Sequence, residues 1–328
     1  LEKTFRLIDS PDNSIIDVVA DGGLTTIYAQ CEVLDTDSFN DETIIPTGVD
    51  DNYVSYWQSA ANSFVNFCEN ARKDCMTILD IPRASVILGR DIKVINATGK
   101  TFTTDIYNPL KKAAGSIESN YAAIYGNWAK TIDIQTGRQF WIPFSGVAAA
   151  AYCRNDQVAN PWAAPGGLNR GLFRTTDIAF NPNQKQRDRL YEISVNPVVF
   201  FTGEGYAIMG QKTLQKKPTA FDRINVRRLF LALERSVQRS LKYFVFEPNT
   251  EATRTRLFNT IEPIFAFAKQ TEGLYDFLIV CDERNNTPET IDNNQLIVDI
   301  YIKPVKTAEF ILVNFIATRT GQDFSELL

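Results

Sequence analysis

Asp80 closes the apolar run Cys75-Met76-Thr77-Ile78-Leu79-Asp80. An acid at the carboxyl end of a buried strand is where nucleophilic and metal-binding carboxylates stand in α/β enzymes. Such an acid needs helpers, and the sequence offers few. It contains no histidine, which removes the commonest general base and metal ligand near neutral pH, and with it the His-activated nucleophile pairs. No Gly-rich phosphate loop precedes Asp80. Ser145, in Pro143-Phe144-Ser145-Gly146, lacks the glycine two residues earlier that a nucleophile elbow requires. Gly203 and Gly205, followed by Gly210, lie between two predicted strands, whereas a dinucleotide loop joins a strand to a helix. No catalytic, cofactor-binding or metal-binding residue is assigned. An α/β enzyme working through Asp80 is the alternative reading.

The cysteines point the same way. Cys31, Cys68, Cys75, Cys153 and Cys281 are odd in number and none forms a CxxC pair, so buried free thiols in a reducing compartment are expected rather than a disulfide framework or a zinc site.

Charge is unevenly placed. The net charge is -5, yet residues 1–52 hold twelve acids and two bases, a net of -10, leaving +5 on residues 53–328. That asymmetry suits complementary contacts between copies of the chain, or an acidic partner. No apolar run reaches the ~18 residues a membrane span needs, and no targeting peptide is evident. The first residue is Leu1 and not Met, so the chain is expected to be a fragment or a processed product.

The elements that must position these residues are legible as periodicities. Phe221–Asn249 carries the longest helical pattern, with Val226, Leu229, Phe230, Leu233, Val237, Leu241 and Phe244 on one stripe. Asp222 is its expected N-cap or first-turn acid and Pro248 its stop. Arg223, Arg227, Arg235, Arg239 and Lys242 fall mostly on the other faces. That cationic face is either solvated or matched to something acidic. Nucleic acid is disfavoured, because the chain is acidic overall and exposed aromatics are not interleaved with the arginines.

Residues 14–20 read as a buried strand turning at Gly22 and Gly23. Residues 53–73 read as a helix with Tyr56, Ala60, Phe64, Phe67 and Ala71 on its stripe. Residues 75–79 read as a strand, 108–120 as a helix with Asn108 as N-cap, and 122–125 as a strand. A hairpin over 130–142 turns at Gly137, and a small-residue helix covers 145–154. Strands over 191–199 and 206–214, a helix over 250–273 interrupted at Pro263, strands over 275–281 and 296–302, and a last element over 309–318 complete the series. The pattern implies a mixed α/β (α+β) chain of two or three modules, with sheets flanked by helices. Boundaries are expected near 51/52 and 185/186: a leading remainder of an outer domain (1–51), a middle domain (52–185) and a carboxyl-terminal domain (186–328).

Five stretches, in order, resemble one family. They are 62–82 with Cys-Met-Thr-Ile-Leu-Asp-Ile-Pro; Trp128 with Ile142-Pro143-Phe144-Ser145-Gly146, Ala148 to Arg154 and Asp156; Pro161-Trp162-Ala163-Ala164-Pro165-Gly166 to Arg170-Gly171; Ile224-Asn225-Val226-Arg227-Arg228 with Phe246-Glu247-Pro248-Asn249; and Lys303-Pro304-Val305 with Glu309-Phe310-Ile311. Together they resemble the contractile tail sheath proteins of bacteriophages, the T-even-like branch above all.

That resemblance implies a structural, non-enzymatic virion subunit with a tail sheath core fold, and no cofactor. It implies a helical homo-oligomer around a tail tube, with tube, baseplate and tail terminator proteins as partners. Direct nucleic-acid binding and membrane insertion are not implied. Contraction of the sleeve would drive the tube through the host envelope. The family's amino-terminal arm and outer domains find no counterpart here. On this reading Arg223, Arg227, Arg235, Arg239 and Lys242 are expected to face the tube or a neighbouring subunit. Leu296, Val298, Ile300 and Ile302, with Phe310 and Leu312, are expected to pair strands between subunits.

Overall fold

The computed structural model describes residues 2–11, 14–29, 53–82, 86, 93–95, 101–103 and 107–309. Its centre is a parallel sheet in the order β1 (Val18–Ala20), β2 (Met76–Asp80), β5 (Ala122–Tyr125) and β10 (Val195–Asn196). All five residues of β2 are buried. A strand covered on both faces reads as an unbroken apolar run, and CMTIL is one.

The period-2 pleat sorts side chains to two cores. Leu79, Ala122 and Ile124 pack with Trp57, Phe64, Leu110 and Leu190 on one face. Ile78, Ala123 and Tyr125 pack with Phe144, Ala148 and Tyr152 on the other. Helices Tyr53–Asn66, Tyr107–Ala114 and Gln184–Glu192 therefore cover the first face, and Phe144–Val158 the second. The small residues read in 145–154 are what let that helix lie close to the sheet.

Short strands surround this centre. β3 (Lys93–Ile95) and β4 (Thr101–Thr103) form a hairpin. β6 (Trp128–Ile132) pairs with β7 (Gln139–Pro143) and β9 (Asp177–Ile178). β11 (Val198–Phe201), β12 (Gly205–Ile208) and β8 (Leu172–Phe173) form a second antiparallel sheet. A third core joins Leu229, Leu233 and Val237 of the Ile224–Leu241 helix to Leu257, Ile261 and Phe265 of the Glu251–Gln270 helix. Over it lies an antiparallel ribbon of β13 (Leu274–Val280) and β14 (Asp299–Pro304).

Several expectations are corrected. Of the 53–73 stripe, Ala60, Phe64 and Phe67 are buried as expected, but Tyr56 and Ala71 are exposed and Trp57 and Ala61 are buried beside it, and the helix closes in a wide turn over Phe67–Arg72. The helix expected from Asn108 starts at Tyr107, which leaves Pro109 in the first turn, where no N–H is needed. Residues 191 and 192 end a helix rather than start a strand, because Asn183 and Gln186 form a capping box that nucleates Gln184–Glu192. The Glu251–Gln270 helix runs unbroken through Pro263. Leu296 and Val298 precede β14, packing against the third core from outside the strand.

The organising helix ends at Leu241, with one 3₁₀ turn to Phe244, before Pro248 can act. Its N-cap is Arg223, without a side-chain cap, and Asp222 lies in the preceding 3₁₀ turn. The boundary expected at 185/186 falls inside a helix whose next strand, β10, completes the central sheet. The described residues of the leading segment likewise join the central unit. β1 pairs with β2, and the buried Arg72 donates to the carbonyls of Ile8 and Ser14 at 2.6 Å each.

Candidate functional site

Asp80 sits where the sequence puts it, at the carboxyl end of β2, and its side chain is enclosed. It is 1% exposed. Its Oδ1 accepts the Ser145 N–H at 2.6 Å, and its Oδ2 accepts the Ser145 hydroxyl at 2.6 Å and the Gly23 N–H at 2.9 Å. The Ser145 Oγ in turn accepts from Gly22 N at 2.9 Å. Asp21 accepts the Asp80 N–H at 3.1 Å, the Thr25 N–H at 2.8 Å and the Thr25 hydroxyl.

Gly22 and Gly23 hold left-handed backbone at φ 64° and 83°, which glycine adopts without strain. The Ser145 N–H is an orphan donor of the first turn of its helix, so a carboxylate there is favourable. Burial, and next the charge of Asp21, push the Asp80 carboxyl up to about 7, against the Ser145 and Gly23 hydrogen bonds. The arrangement is a clasp. It fastens residues 21–25 to the end of β2 and to the start of the Phe144–Val158 helix, with its acceptors occupied by the chain itself.

The cationic helix is largely turned inward. Arg223 Nε bonds Glu309 Oε1 at 2.6 Å and Nη1 pairs with Asp222 at 3.0 Å. Arg227 is 6% exposed, its guanidinium 3.6 Å above the Tyr121 ring and 4.9 Å from the Phe221 ring. Burial lowers its pKa below the usual arginine value. Arg235 pairs with Asp17 and donates to the carbonyls of Ile16 and Asp74 at 3.0 and 2.7 Å. The expected outward face is thus corrected for Arg223, Arg227 and Arg235, which hold the chain together. Arg239 and Lys242 are exposed at the helix end.

Arg228, which the sequence reading passed over, is buried beside Asp156 and lies 4.9 Å from the Tyr152 ring. Its signal was available. Arg227 and Arg228 are three and four residues after the buried Ile224 and before the buried Leu231, which places both in the inward arc.

The β13–β14 ribbon has two unlike faces. Phe277↔Ile302 and Ile279↔Ile300 point into the third core. Leu278↔Tyr301 and Asp276↔Lys303 point outward, with Leu278 55% and Tyr301 60% exposed. Among the described residues neither strand has a second neighbour. Ile300 and Ile302 therefore already have a strand partner in their own chain, and the free edges remain for another. Phe310 and Leu312 lie outside the described residues.

The family model described as the phage tail sheath C-terminal domain matches residues 216–318. The tail sheath protein of Vibrio phage KVP40 is 37% identical over 264 residues, covering 79% of this chain and 39% of that protein. The tail sheath protein of Enterobacteria phage T4 is 38% identical over 266 residues, with the same coverage of 79% and 39%. The chain thus spans about two fifths of the curated relatives it matches. Among solved structures, the helical sheath of the anti-feeding prophage in its contracted state superposes with a TM-score of 0.60 at 20% identity, covering 80% of this chain and 67% of that one. The sheath complex of an extracellular contractile injection system, also contracted, gives a TM-score of 0.60 at 23% identity over 76% of this chain and 71% of that one. These two establish the likeness of fold.

Proposed function

Because residues 216–318 match the phage tail sheath C-terminal domain, we propose that the chain is a structural subunit of a contractile tail sheath. Its copies stack as a helical sleeve in the virion tail, and contraction of the sleeve drives an enclosed tube through the host envelope. Tube protein, baseplate and tail terminator are its partners in that assembly, and it is made in the host cytoplasm. The Asp80 clasp supports a structural role, since its carboxylate is enclosed by donors of its own chain.

The observation that carries the reading is the β13–β14 ribbon. It is anchored by one face, presents Leu278 and Tyr301 on the other, and has a free edge on each strand among the described residues. Unpaired strand edges are templates for another chain. Strand addition tethers subunits through backbone hydrogen bonds, while polar contacts elsewhere can be remade at modest cost as the sleeve shortens. Arg239 and Lys242 form the solvent-facing cationic end of the organising helix and are assigned to the tube or neighbour contact.

Negative-stain microscopy tests the proposal. The chain is concentrated alone, then with a longer sheath protein of the same family, and then with tail tube. Striated tubes, or incorporation into them, are expected. Dispersed particles in all three mixtures would refute a sheath role.

A further inference from the structure

Arg228, Arg235 and Arg239 line a groove of about 320 Å³ along the Ile224–Leu241 helix, floored by Leu231 and walled by Asp17 and Asp156. Seven and then four residues separate the arginines, so they stand ~10 Å and ~6 Å apart along the axis. Arg228 is 5% exposed and its Nη1 has no hydrogen-bond partner among the described residues; nor has the buried Nε of Arg235. Their acid partners are the loosely held half, the side chains of Asp17 and Asp156 being 64% and 30% exposed. Three guanidiniums thus share two solvent-reached carboxylates, with donors left over.

We propose that this groove is a docking site for an extended acidic segment of a second copy of the chain, and that residues 32–42 supply it. That stretch holds Glu32, Asp35, Asp37, Asp41 and Glu42 and no lysine or arginine. Acids two residues apart on an extended chain lie ~7 Å apart, close to the spacing of Arg235 and Arg239. Asp35 and Asp37 are such a pair. Arginine takes a carboxylate through charge-assisted N–H donors, which the exposed guanidinium of Arg239 and the partly exposed one of Arg235 can supply.

A second copy is favoured over the same copy by topology. Arg235 bonds Asp17, Ile16 and Asp74, all at the amino ends of β1 and β2. Residues 21–25 are fastened by Asp21 and Asp80 at the carboxyl ends, the opposite end of these strands from the groove. The proposal rests on the sheath reading in one respect, that copies of this chain meet.

The test needs no tubes, so it fails or succeeds apart from that reading. A fluorescent synthetic peptide of residues 31–43 is titrated against the whole chain, and anisotropy is recorded at low salt and at ~0.3 M, where exposed charge pairs are screened. Binding at low salt is expected, weaker at high salt. It should be about tenfold weaker for Arg235→Glu with Arg239→Glu, and likewise for a peptide carrying Asp35→Asn and Asp37→Asn, two charge-assisted pairs being lost. Arg239→Glu alone, at an exposed position, should weaken binding severalfold without touching the fold. The chain with Asp35→Asn and Asp37→Asn serves as a second receptor, whose own segment cannot compete. Equal binding by wild type and the arginine variants, or no binding by either receptor, overturns the proposal. Binding by the second receptor alone shows a groove filled from within its own chain, and overturns it too.

Discussion

Ser145 donates both its backbone N–H and its hydroxyl to the carboxylate of Asp80, 65 residues upstream, each at 2.6 Å. Two elements far apart in sequence are joined by one acid, and a third is joined through Gly23. Removing the carboxylate with Asp80→Ala leaves buried donors unpaired, at about 3–5 kcal/mol in all. The expected result is a lower Tm, together with faster amide exchange at residues 21–25 than elsewhere in the central sheet. A Tm within a degree or so of wild type would show the clasp to be incidental.

The same acid sets a pH dependence. Its folded pKa, about 7, lies above the usual 3.8, so the folded chain holds the proton more tightly than the unfolded one. The stability it contributes is complete below 3.8 and is lost as pH rises through about 7. Asp80→Asn removes the titration. Calorimetry across that window should show wild type losing stability relative to Asp80→Asn as pH increases. A constant difference between the two would contradict the assignment.

Arg227 and Arg239 lie on one helix and should behave oppositely. Truncating Arg227 to Ala removes the guanidinium between the Tyr121 and Phe221 rings and opens a buried space, at about 2–3 kcal/mol. Arg239→Ala, at an exposed position, should fall within about 0.5 kcal/mol. Chemical denaturation of the two variants measures both, and equal costs would invalidate the inward placement of Arg227.

The outward face of the ribbon should matter for assembly and not for folding. Leu278→Lys with Tyr301→Glu changes side chains that are 55% and 60% exposed. The variant is expected to match wild type in circular dichroism and Tm within about 1 kcal/mol while failing to enter tubes. Normal incorporation would move the assembly surface elsewhere.

Phe246 has left-handed backbone at φ 71° and a fully exposed side chain. Glycine relieves that strain, so Phe246→Gly should raise stability by about 1 kcal/mol. A loss on substitution would show that the ring packs against something in solution.

Legibility followed sequence distance. The β2 run, the hairpin at Gly137, the organising helix and the final strands were readable, because their periods of 2 and 3.6 are local properties of the backbone. The phase of a stripe was less so: Tyr56 and Trp57 are both large and amphipathic, and only the packing against Leu79 and Leu110 chose Trp57. Among the arginines, the count and spacing were visible, and helical phase marks Arg227 and Arg228 as inward, but the contacts each guanidinium makes were not visible. A guanidinium on a long aliphatic stem can end in water or on a ring, and whether Tyr121 stands beneath Arg227 depends on a strand tip about a hundred residues away.

The sequence alone therefore determined most of the element types, the absence of histidine and the five ordered motifs that resemble a tail sheath. Each is carried by residue identity or by neighbours within a turn or two. Tertiary structure decided how Asp80, Arg228 and the ribbon are placed. Asp80 is a lone acid at a strand end in the sequence, and in the structure Ser145, Gly23 and Asp21 close around it. Arg228 has no role of its own in the sequence until Asp156 and Tyr152 meet it. Leu278 and Tyr301 lie in expected strands whose outward face is undecided until β14 pairs with β13 and turns both outward. Burial and hydrogen bonding are properties of what surrounds a side chain, and those surroundings come from chain segments that no local pattern brings together.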